Sequence, residues 1–368
     1  MGVRNLFKFL QSKFPSVIEI KLLSEITYSK KVVTDISSYI YKYKYTYNEK
    51  WLLGFIHLVT FFKKNGIHNT FIFDGKPPSE KDKEKEKRKK RYEYLEEKAS
   101  NLYSSIEEYK LTGIMTEVLI KENNSLNKSK FLHSDRVDVE QLEKKLHKIE
   151  SQIFDITDED IATLQKLFEV LGIPYITSST EAETLCAYLV RSKIADVVIS
   201  EDCDVLAYNT PVSVSKLNIT TGICNVIYMD KVLKKLNFTS DMFIELCYLS
   251  GTDYNNNLPG IGIVKAYNYL SKYKTIKKMK ENLKWLDKKK TKAIDYTNLN
   301  LLDNVRNIFT FVVTPLGKYC EDNQFREIKL LPLWKELDKN NLNSFLSTRG
   351  LNINFNNWKD FKVEIIFE

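Results

Sequence analysis

The sequence predicts an α/β fold in which a mostly parallel central sheet is flanked by helices. Three short runs of β-branched and aromatic residues, KVVTD, TFIFD and DVVIS, have the length and composition of buried strands. Segments with apolar residues at helical spacing separate these runs, and such alternation is typical of parallel sheets with helical connections. A long charged segment between the second and third runs predicts an insertion into this fold.

Residues 1–74 predict a helix, a strand, two helices and a second strand, in that order. The second of the two adjacent helices begins near Glu49 and ends at Gly66, because EKWLLGFIHLVTFFKKNG has helical apolar spacing and a terminal glycine. The alternation resumes at Asp158 and continues as helix DEDIATLQKLFEVLG, strand IPYIT, helix EAETLCAYLVRSK and strand DVVIS. After Met229 the pattern is mainly helical, with a last β-like stretch, FKVEIIFE.

Composition excludes several classes of protein. Charged residues make up 28% and hydrophobic residues 43% of the chain, which fits neither a disordered nor a membrane protein. The start of the chain lacks the features of a signal peptide, and the five cysteines are scattered without a CxxC pair. We therefore expect an intracellular protein with no membrane segment. The net charge of +8 permits an acidic partner such as nucleic acid.

Acidic residues follow the predicted strands at the points where these strands end. The carboxyl ends of parallel strands meet at one edge of a sheet, where α/β proteins bind their ligands. Carboxylates that share a pocket need counterions, and Mg²⁺ with oxygen ligands is the usual one. The sequence therefore predicts a metal site formed by Asp35, Asp74, Glu181, Glu183, Asp202, Asp204 and Asp253.

Two of these acidic segments also have a purely structural interpretation. Thr180 and Glu183 have the spacing of a capping box at a helix start. Asp202 and Asp204 could instead be acids that favour the dipole of a helix N-terminus. The number of acids at other strand ends favours the metal site in both cases.

The basic run that follows Asp74 is the third feature. Lys81, Lys85 and Arg88 are spaced i, i+4 and i+7, so they form one stripe if the segment is helical. Such a stripe near the acidic edge suits a phosphate that is being cleaved. The alternative is a helix face exposed to solvent, which the mixed charges of this run also fit.

The segment LPGIGIVKAYNYL predicts a tight turn between two helices. Gly260 and Gly262 precede an amphipathic helix that contains Lys265. A turn without side chains can present backbone N–H groups to the phosphates of a duplex. The alternative is a glycine-rich cap at a helix C-terminus.

Four segments, taken in order, resemble the flap endonuclease branch of the XPG family of structure-specific 5′ nucleases. They are MGVRNLFKFL, FIFDGKPPSEK, STEAETLCAYLVRSKIADVVISEDCDVLAYNTP and LCYLSGTDYNNNLPGIGIVKAYNYL. The resemblance implies a Mg²⁺-dependent hydrolase that cuts DNA at 5′ flaps or single/double-strand junctions in replication, repair or recombination. It implies a PIN-like core with a helical arch and a helix–two-turn–helix.

The resemblance also implies roles for individual residues. The seven acids would hold two Mg²⁺ ions, with Mn²⁺ as a substitute, and Lys81 and Arg88 would contact the scissile phosphate. Tyr41 would stack on a nucleotide beside the cut, and Gly2 would approach the DNA. Gly260, Gly262 and Lys265 would bind the duplex, with a monovalent cation such as K⁺ on the backbone of this turn.

The expected organisation follows from the same motifs. Residues 1–75 and 156–238 would form the nuclease core, 76–155 the arch, 239–275 the helix–two-turn–helix and 276–368 a mainly helical C-terminal region. Residues 111–135 match no motif, and no sliding-clamp box is visible at the C-terminus. We expect a monomer that acts on flapped, nicked or gapped DNA in the nucleus or another DNA-containing compartment.

Two other functions stay open at this point. One is a 5′–3′ exonuclease of the same family acting on nicked or gapped DNA, or on RNA. The other is a non-catalytic scaffold for nucleic acid, although such a protein would be expected to lose metal-site acids and none is lost here.

Overall fold

The computed structural model describes residues 2–28, 30–127, 137–153, 155–258, 260–283, 302–310 and 327–351. These residues form two compact units. The first unit is built from residues 1–81 and 159–368, and the second from residues 82–158. The predicted C-terminal strand FKVEIIFE lies outside the described residues.

The first unit contains a seven-stranded mixed sheet. Its strands are β1 (Ile18–Leu22), β2 (Lys31–Asp35), β3 (His68–Phe73), β4 (Tyr175–Thr177), β5 (Val197–Ile199), β6 (Val212–Ser215) and β7 (Ile223–Tyr228). They lie in the order β1-β7-β6-β5-β2-β3-β4. The five strands from β6 to β4 are parallel, whereas β7 pairs antiparallel with both β6 and β1. The predicted mostly parallel sheet is confirmed.

The helices alternate with the strands and then predominate after β7. In the first unit they are α1 (Leu6–Lys13), α2 (Leu23–Thr27), α3 (Ser37–Tyr47), α4 (Leu52–Lys64), α8 (Asp158–Leu171), α9 (Ala182–Arg191), α10 (Asp204–Ala207), α11 (Met229–Leu236), α12 (Ser240–Ser250), α13 (Ile263–Tyr273), α14 (Ile276–Leu283), α15 (Leu302–Thr310) and α16 (Lys339–Ser347). In the second unit they are α5 (Asp82–Thr112), α6 (Glu117–Asn127) and α7 (Val139–Glu150). Among the described helices, none combines the length and the hydropathy that crossing a bilayer requires.

Both faces of the sheet are covered, as strands of a parallel sheet require. Successive residues of β3 point to opposite faces, and each face has its own core. Ile72 lies in a large cluster with Leu185 and Leu189 of α9. On the other face, the ring of Phe71 stacks on that of Phe168 in α8, with centroids 4.5 Å apart. This packing fixes the strand ends that carry the acidic residues.

Two elements between α1 and β2 are not predicted by the sequence. The strand β1 lies at the edge of the sheet and its Ile20 is 74% exposed. Its sequence therefore lacks the run of buried apolar residues that predicts a strand. The helix α2 has only five residues, too few for a periodic signal. The helix predicted from Glu49 to Gly66 is present as a 3₁₀ turn followed by α4.

The second unit is helical, and its helices enclose a small core of their own. Leu102 and Ile106 of α5 pack with Leu119 of α6 and Leu142 of α7. Glu122 on α6 forms ion pairs with Lys98 at 3.2 Å and Lys145 at 2.5 Å, which tie the three helices together. The segment without a motif, 111–135, thus includes α6, while residues 128–136 lie outside the described part.

Candidate metal centre

The first two acids lie at the carboxyl ends of adjacent parallel strands. Asp35 ends β2 and Asp74 directly follows β3. Ser37 joins them, since its N–H donates to Asp35 Oδ1 at 3.0 Å and its hydroxyl donates to Asp74 Oδ2. Ser200, at the end of β5, donates from its hydroxyl to Asp35 Oδ2 at 2.8 Å. Three neighbouring strand ends are therefore linked at one edge of the sheet.

Glu181 and Glu183 are brought to the same edge by the start of α9. The backbone N–H of Ala182, the first residue of this helix, donates to Asp74 Oδ1 at 2.7 Å. The helix thus receives its N-terminal carboxylate from β3, 108 residues earlier. The capping box at Thr180 is wrong, because the cap residue is Glu181 and the buried Thr180 hydroxyl finds no hydrogen-bond partner among the described residues.

Asp202 and Asp204 follow β5 at the next strand end. The N–H of Asp204 donates to Asp202 Oδ1 at 3.1 Å, and Asp204 Oδ1 accepts from the N–H of Val3. Asp204 also begins α10, so the helix-start interpretation and the site interpretation both apply. One possible ligand atom from each of Asp202, Cys203 and Asp204 lies within 4.8 Å of the others, which is a spacing that one cation could bridge.

Asp253 joins the cluster through the N-terminus of the chain. The N–H of Gly2 donates to Asp253 Oδ1 at 3.2 Å. Gly2 has a φ of 85°, and a Cβ at this position would overlap the carboxylate oxygens of Asp202 and Asp204. Glycine is therefore required at position 2 by its conformation and by the closeness of the acids.

Lys81 lies among the acids and carries a positive charge there. Its Nζ forms an ion pair with Glu181 Oε1 and lies 3.9 Å from Asp253 Oδ2. Burial lowers the pKa of this ammonium, but Glu183 and Glu181 outweigh burial and the resulting pKa is above the ordinary value. The acids outnumber this ammonium, so Lys81 compensates only part of their negative charge.

Burial makes this excess of negative charge costly. Asp204 is 1% and Glu183 is 7% exposed. Burial, followed by repulsion from Asp74, raises the pKa of Asp35 to about 7. Burial and neighbouring acids also raise the pKa of Glu183 and of Asp204 well above the ordinary value. The donor set consists of carboxylate oxygens, so it fits hard divalent cations, which would relieve this repulsion.

The predicted basic stripe does not lie on a single α-helix. Lys81 belongs to a 3₁₀ turn, Ser79–Lys81, and α5 begins only at Asp82. Lys85 and Arg88 lie on α5 in the second unit, and Lys85 Nζ is 3.8 Å from Asp82 Oδ1. The role of Arg88 stays a prediction, as does that of Tyr41, which is half-buried on α3.

The glycine pair lies just before α13, with Gly262 as the N-cap residue. The alternative of a helix C-cap is wrong, because α12 ends at Ser250 with Gly251 as its cap. A Cβ on Gly260 or Gly262 would meet no atom of the described residues within 4 Å. Lys265 Nζ donates to the carbonyl of Gly260 at 2.9 Å. Both glycines are therefore exposed, with open space where a side chain would lie.

Three hydroxyl residues of the centre are not predicted by the sequence. Ser37 and Ser200 hold Asp35, as described above. Tyr254 donates from its hydroxyl to Glu181 Oε2 at 2.5 Å, and this hydroxyl also lies 3.2 Å from Glu183 Oε1. Tyr254 directly follows the predicted metal ligand Asp253, but this position in the sequence does not show that its hydroxyl contacts Glu181 and Glu183.

Comparison with known proteins identifies similar chains and folds. The XPG N-terminal domain matches residues 1–94 and the XPG I-region matches residues 172–253. Probable RAD2-like endonuclease 076L of Invertebrate iridescent virus 3 is 30% identical over 366 residues, covering 91% of this chain and 93% of the viral protein. Flap endonuclease 1 of Tetrahymena thermophila is 26% identical, covering 94% of this chain and 83% of the relative.

A solved structure has the same fold. The catalytic core of Rad2 in complex with DNA substrate covers 93% of this chain with a TM-score of 0.57, and 94% of that core is matched. The identity to this core is 20%, so the likeness concerns the fold.

Proposed function

Because the chain belongs to the XPG family of structure-specific 5′ nucleases, we propose that it cuts DNA near a 5′ end, at flaps and other junctions of single and double strand. The chain is a nuclease, a hydrolase of phosphodiester bonds. The convergence of seven carboxylates and Lys81 on one edge of the sheet carries the proposal. DNA replication, repair or recombination is the proposed setting, in the nucleus or another DNA-containing compartment.

The proposed cofactor is a pair of Mg²⁺ ions, with Mn²⁺ as a substitute. XPG-family nucleases depend on divalent metal ions, and the buried, mutually repelling carboxylates of this chain suit such ions. Seven acids would hold these ions: Asp35, Asp74, Glu181, Glu183, Asp202, Asp204 and Asp253. The bound ions would supply an activated water and stabilise the charge of the leaving oxygen.

Lys81 would act on the phosphate that is cut. Its ammonium lies between Glu181 and Asp253, so it can exchange a carboxylate partner for a phosphoryl oxygen without leaving the edge. A charged donor at the position where negative charge develops stabilises the transition state. We propose the same role for Arg88, and this assignment rests on the family motif alone. Arg88 lies on α5 of the second unit, which is the proposed arch.

The duplex would be bound by the turn before α13. Open space in front of Gly260 and Gly262 allows phosphates to approach their N–H groups. Lys265 would add charge there, and the same backbone would hold a monovalent cation such as K⁺. Gly2, which contacts Asp253, would approach the DNA beside the cut, and Tyr41 would stack on the unpaired base.

The alternative is a 5′–3′ exonuclease activity on nicked or gapped DNA or on RNA, because the same metal site serves both reactions. A non-catalytic scaffold is disfavoured, since such a protein would be expected to lose metal-site acids and this sequence keeps all seven. We propose that the protein acts as a monomer.

One assay tests the function and selects among the substrates. Labelled 5′-flap, nicked, gapped and RNA substrates are incubated with the protein in Mg²⁺ and in EDTA. We expect Mg²⁺-dependent cleavage of the flap near the junction and no cleavage in EDTA. Absence of cleavage of all four substrates by folded protein in Mg²⁺ would overturn the proposal.

A further inference from the structure

Three buried hydroxyl groups form a chain that ends on Glu181. The hydroxyl of Thr184 donates to that of Tyr208 at 2.9 Å, and the hydroxyls of Tyr208 and Tyr254 lie 3.0 Å apart. The hydroxyl of Tyr254 then donates to Glu181 Oε2 at 2.5 Å. Thr184 is 6%, Tyr208 0% and Tyr254 5% exposed, so bulk water does not compete for these bonds.

The chemistry of the groups sets the direction of this chain. Each hydroxyl has one proton to donate, and an ionised carboxylate only accepts. Because Tyr254 gives its proton to Glu181, it must accept one from Tyr208, whose own oxygen accepts from Thr184. Hydrogen bonds that run in one direction polarise each other. All three protons therefore point toward the acidic edge.

Glu181 is held at both of its carboxylate oxygens. Oε1 accepts from Lys81 and Oε2 accepts from Tyr254. A carboxylate held at both ends cannot rotate freely, yet each oxygen keeps a further lone pair for a cation. The same Tyr254 hydroxyl lies 3.2 Å from Glu183 Oε1, so a single phenol spans both acids that α9 contributes.

We propose that Tyr254 is a positioning residue that orients Glu181 and Glu183 for cation binding, and that Tyr208 and Thr184 orient Tyr254 in turn. This inference rests on the proposed metal-dependent function. Groups that hydrogen-bond to metal ligands fix their orientation, and removing such groups weakens metal binding.

The backbone around Tyr254 is built to hold its ring in this position. The N–H of Tyr254 donates to the Thr252 hydroxyl at 3.1 Å, and Thr252 forms a short bridge with Asn255. The ring packs edge-on against Phe309 with centroids 5.6 Å apart. A Tyr254→Phe variant keeps this packing and removes only the hydroxyl, so the packing and the positioning role can be separated.

The chain offers a matched control in Tyr248. Its hydroxyl is also buried but has no hydrogen-bond partner in the part of the chain that the structure describes. Tyr248→Phe therefore removes a buried phenol oxygen from the same unit without touching the acids. Any effect specific to the hydroxyl chain must be absent from this variant.

The experiment measures Mn²⁺ binding without DNA, from the electron paramagnetic resonance signal of free Mn²⁺. We expect Tyr254→Phe to weaken Mn²⁺ affinity by roughly tenfold or more. The loss should be smaller for Tyr208→Phe and smallest for Thr184→Val, because each acts one hydrogen bond further from Glu181. Tyr248→Phe should bind as the wild type does. Flap cleavage by Tyr254→Phe should recover when Mg²⁺ is raised.

The outcomes separate this inference from the function on which it rests. Wild-type Mn²⁺ affinity in folded Tyr254→Phe overturns the positioning role, even if the melting temperature falls. If Tyr254→Phe does not fold, unchanged affinity in both Tyr208→Phe and Thr184→Val overturns it. If the wild type itself neither binds Mn²⁺ nor cuts a flap, the proposed function fails instead.

Discussion

The backbone N–H of Gly2 donates a hydrogen bond to the carboxylate of Asp253, 251 residues further along the chain. The N–H of the next residue, Val3, donates to Asp204. The start of the chain is thus part of the acidic centre and links the acid before α13 to the acid after β5. A side chain at position 2 would overlap the carboxylates of Asp202 and Asp204.

Gly2→Ala should lower the rate of flap cleavage by roughly a hundredfold, because small displacements of site residues are that costly. Gly66→Ala is the matched control, since Gly66 also has a positive φ, 65°, but a Cβ there meets nothing within 4 Å in the described part of the chain. Both variants strain the backbone, and only Gly2→Ala disturbs the acids. Single-turnover rates at saturating Mg²⁺ make the comparison. Equal rates for the two variants would contradict a role for Gly2 in the centre.

Lys81→Ala should lower the single-turnover rate with little effect on DNA affinity. Removal of one donor that meets the transition state costs about 3 kcal/mol, or roughly a hundredfold in rate. Lys85→Ala is the control, because Lys85 is exposed and its Nζ lies near Asp82. Cleavage of a 5′ flap is measured at saturating enzyme, and binding is measured separately in Ca²⁺.

Arg88→Ala tests the residue that the family motif assigns to the same phosphate. We expect a similar loss of rate, again without a large change in affinity. A residue that only attracts DNA would instead raise the Kd and be partly rescued by low salt. If Lys81→Ala and Arg88→Ala both cut at the wild-type rate once saturated, the catalytic role of the basic run is wrong.

Gly262→Leu should weaken duplex binding without destabilising the protein. Gly262 has a φ of −96° and faces open space, so the fold accepts a side chain there, but a phosphate near its N–H does not. Gly260→Leu is less clean, because its φ of 76° adds backbone strain. Affinity is measured as a function of salt, and the slope should become shallower as phosphate contacts are lost. Unchanged affinity in Gly262→Leu with an unchanged melting temperature would count against the turn as the duplex site.

Stability of the metal-free protein should depend on pH through Asp35. The pKa of this carboxyl is about 7 in the folded chain, above its ordinary value of 3.8, so the folded state holds a proton that the unfolded state releases. Its contribution to stability is complete below pH 3.8 and is lost as pH rises through about 7. In EDTA, the melting temperature of the wild type relative to Asp35→Asn should therefore fall between pH 5 and pH 8. A difference that stays constant over this range would contradict the raised pKa.

Mg²⁺ should reverse this loss, because a cation compensates the same charge that the proton does. The stabilisation by Mg²⁺ is expected to be larger at pH 8 than at pH 5, and smaller in Asp35→Asn than in the wild type. Thermal melts at matched ionic strength test this point.

The strand ends could be predicted from the sequence because they carry a strong local signal. Asp35, Asp74, Asp202 and Asp204 each follow or end a short apolar run, and a parallel sheet brings such ends together whatever the details of packing. The turn before α13 is equally visible, since Gly260 and Gly262 interrupt a helical pattern. These features depend on periodicity and on residue type, which can be read along the chain.

The contacts that hold the acids could not be predicted in this way. The bond from Ala182 to Asp74 spans 108 residues, and the bond from Tyr254 to Glu181 spans 73. Thr180 and Glu183 have the spacing of a capping box, but the N–H at the start of α9 donates to Asp74, which follows β3, instead of to Thr180. The edge strand β1 is not predicted because its residues are partly exposed, so its sequence lacks the pattern of a buried strand.

Cleavage of a 5′ flap by the double variant Asp202→Asn/Asp204→Asn tests the central claim most directly. Asparagine keeps an oxygen that can accept from the N–H groups of Val3 and Asp204, so the fold is preserved while two negative charges are lost. The exposed Asp230→Asn serves as the control. We expect the double variant to bind flap DNA with nearly unchanged affinity and to show no cleavage in Mg²⁺, whereas cleavage near the wild-type rate would contradict the assignment of these acids as metal ligands.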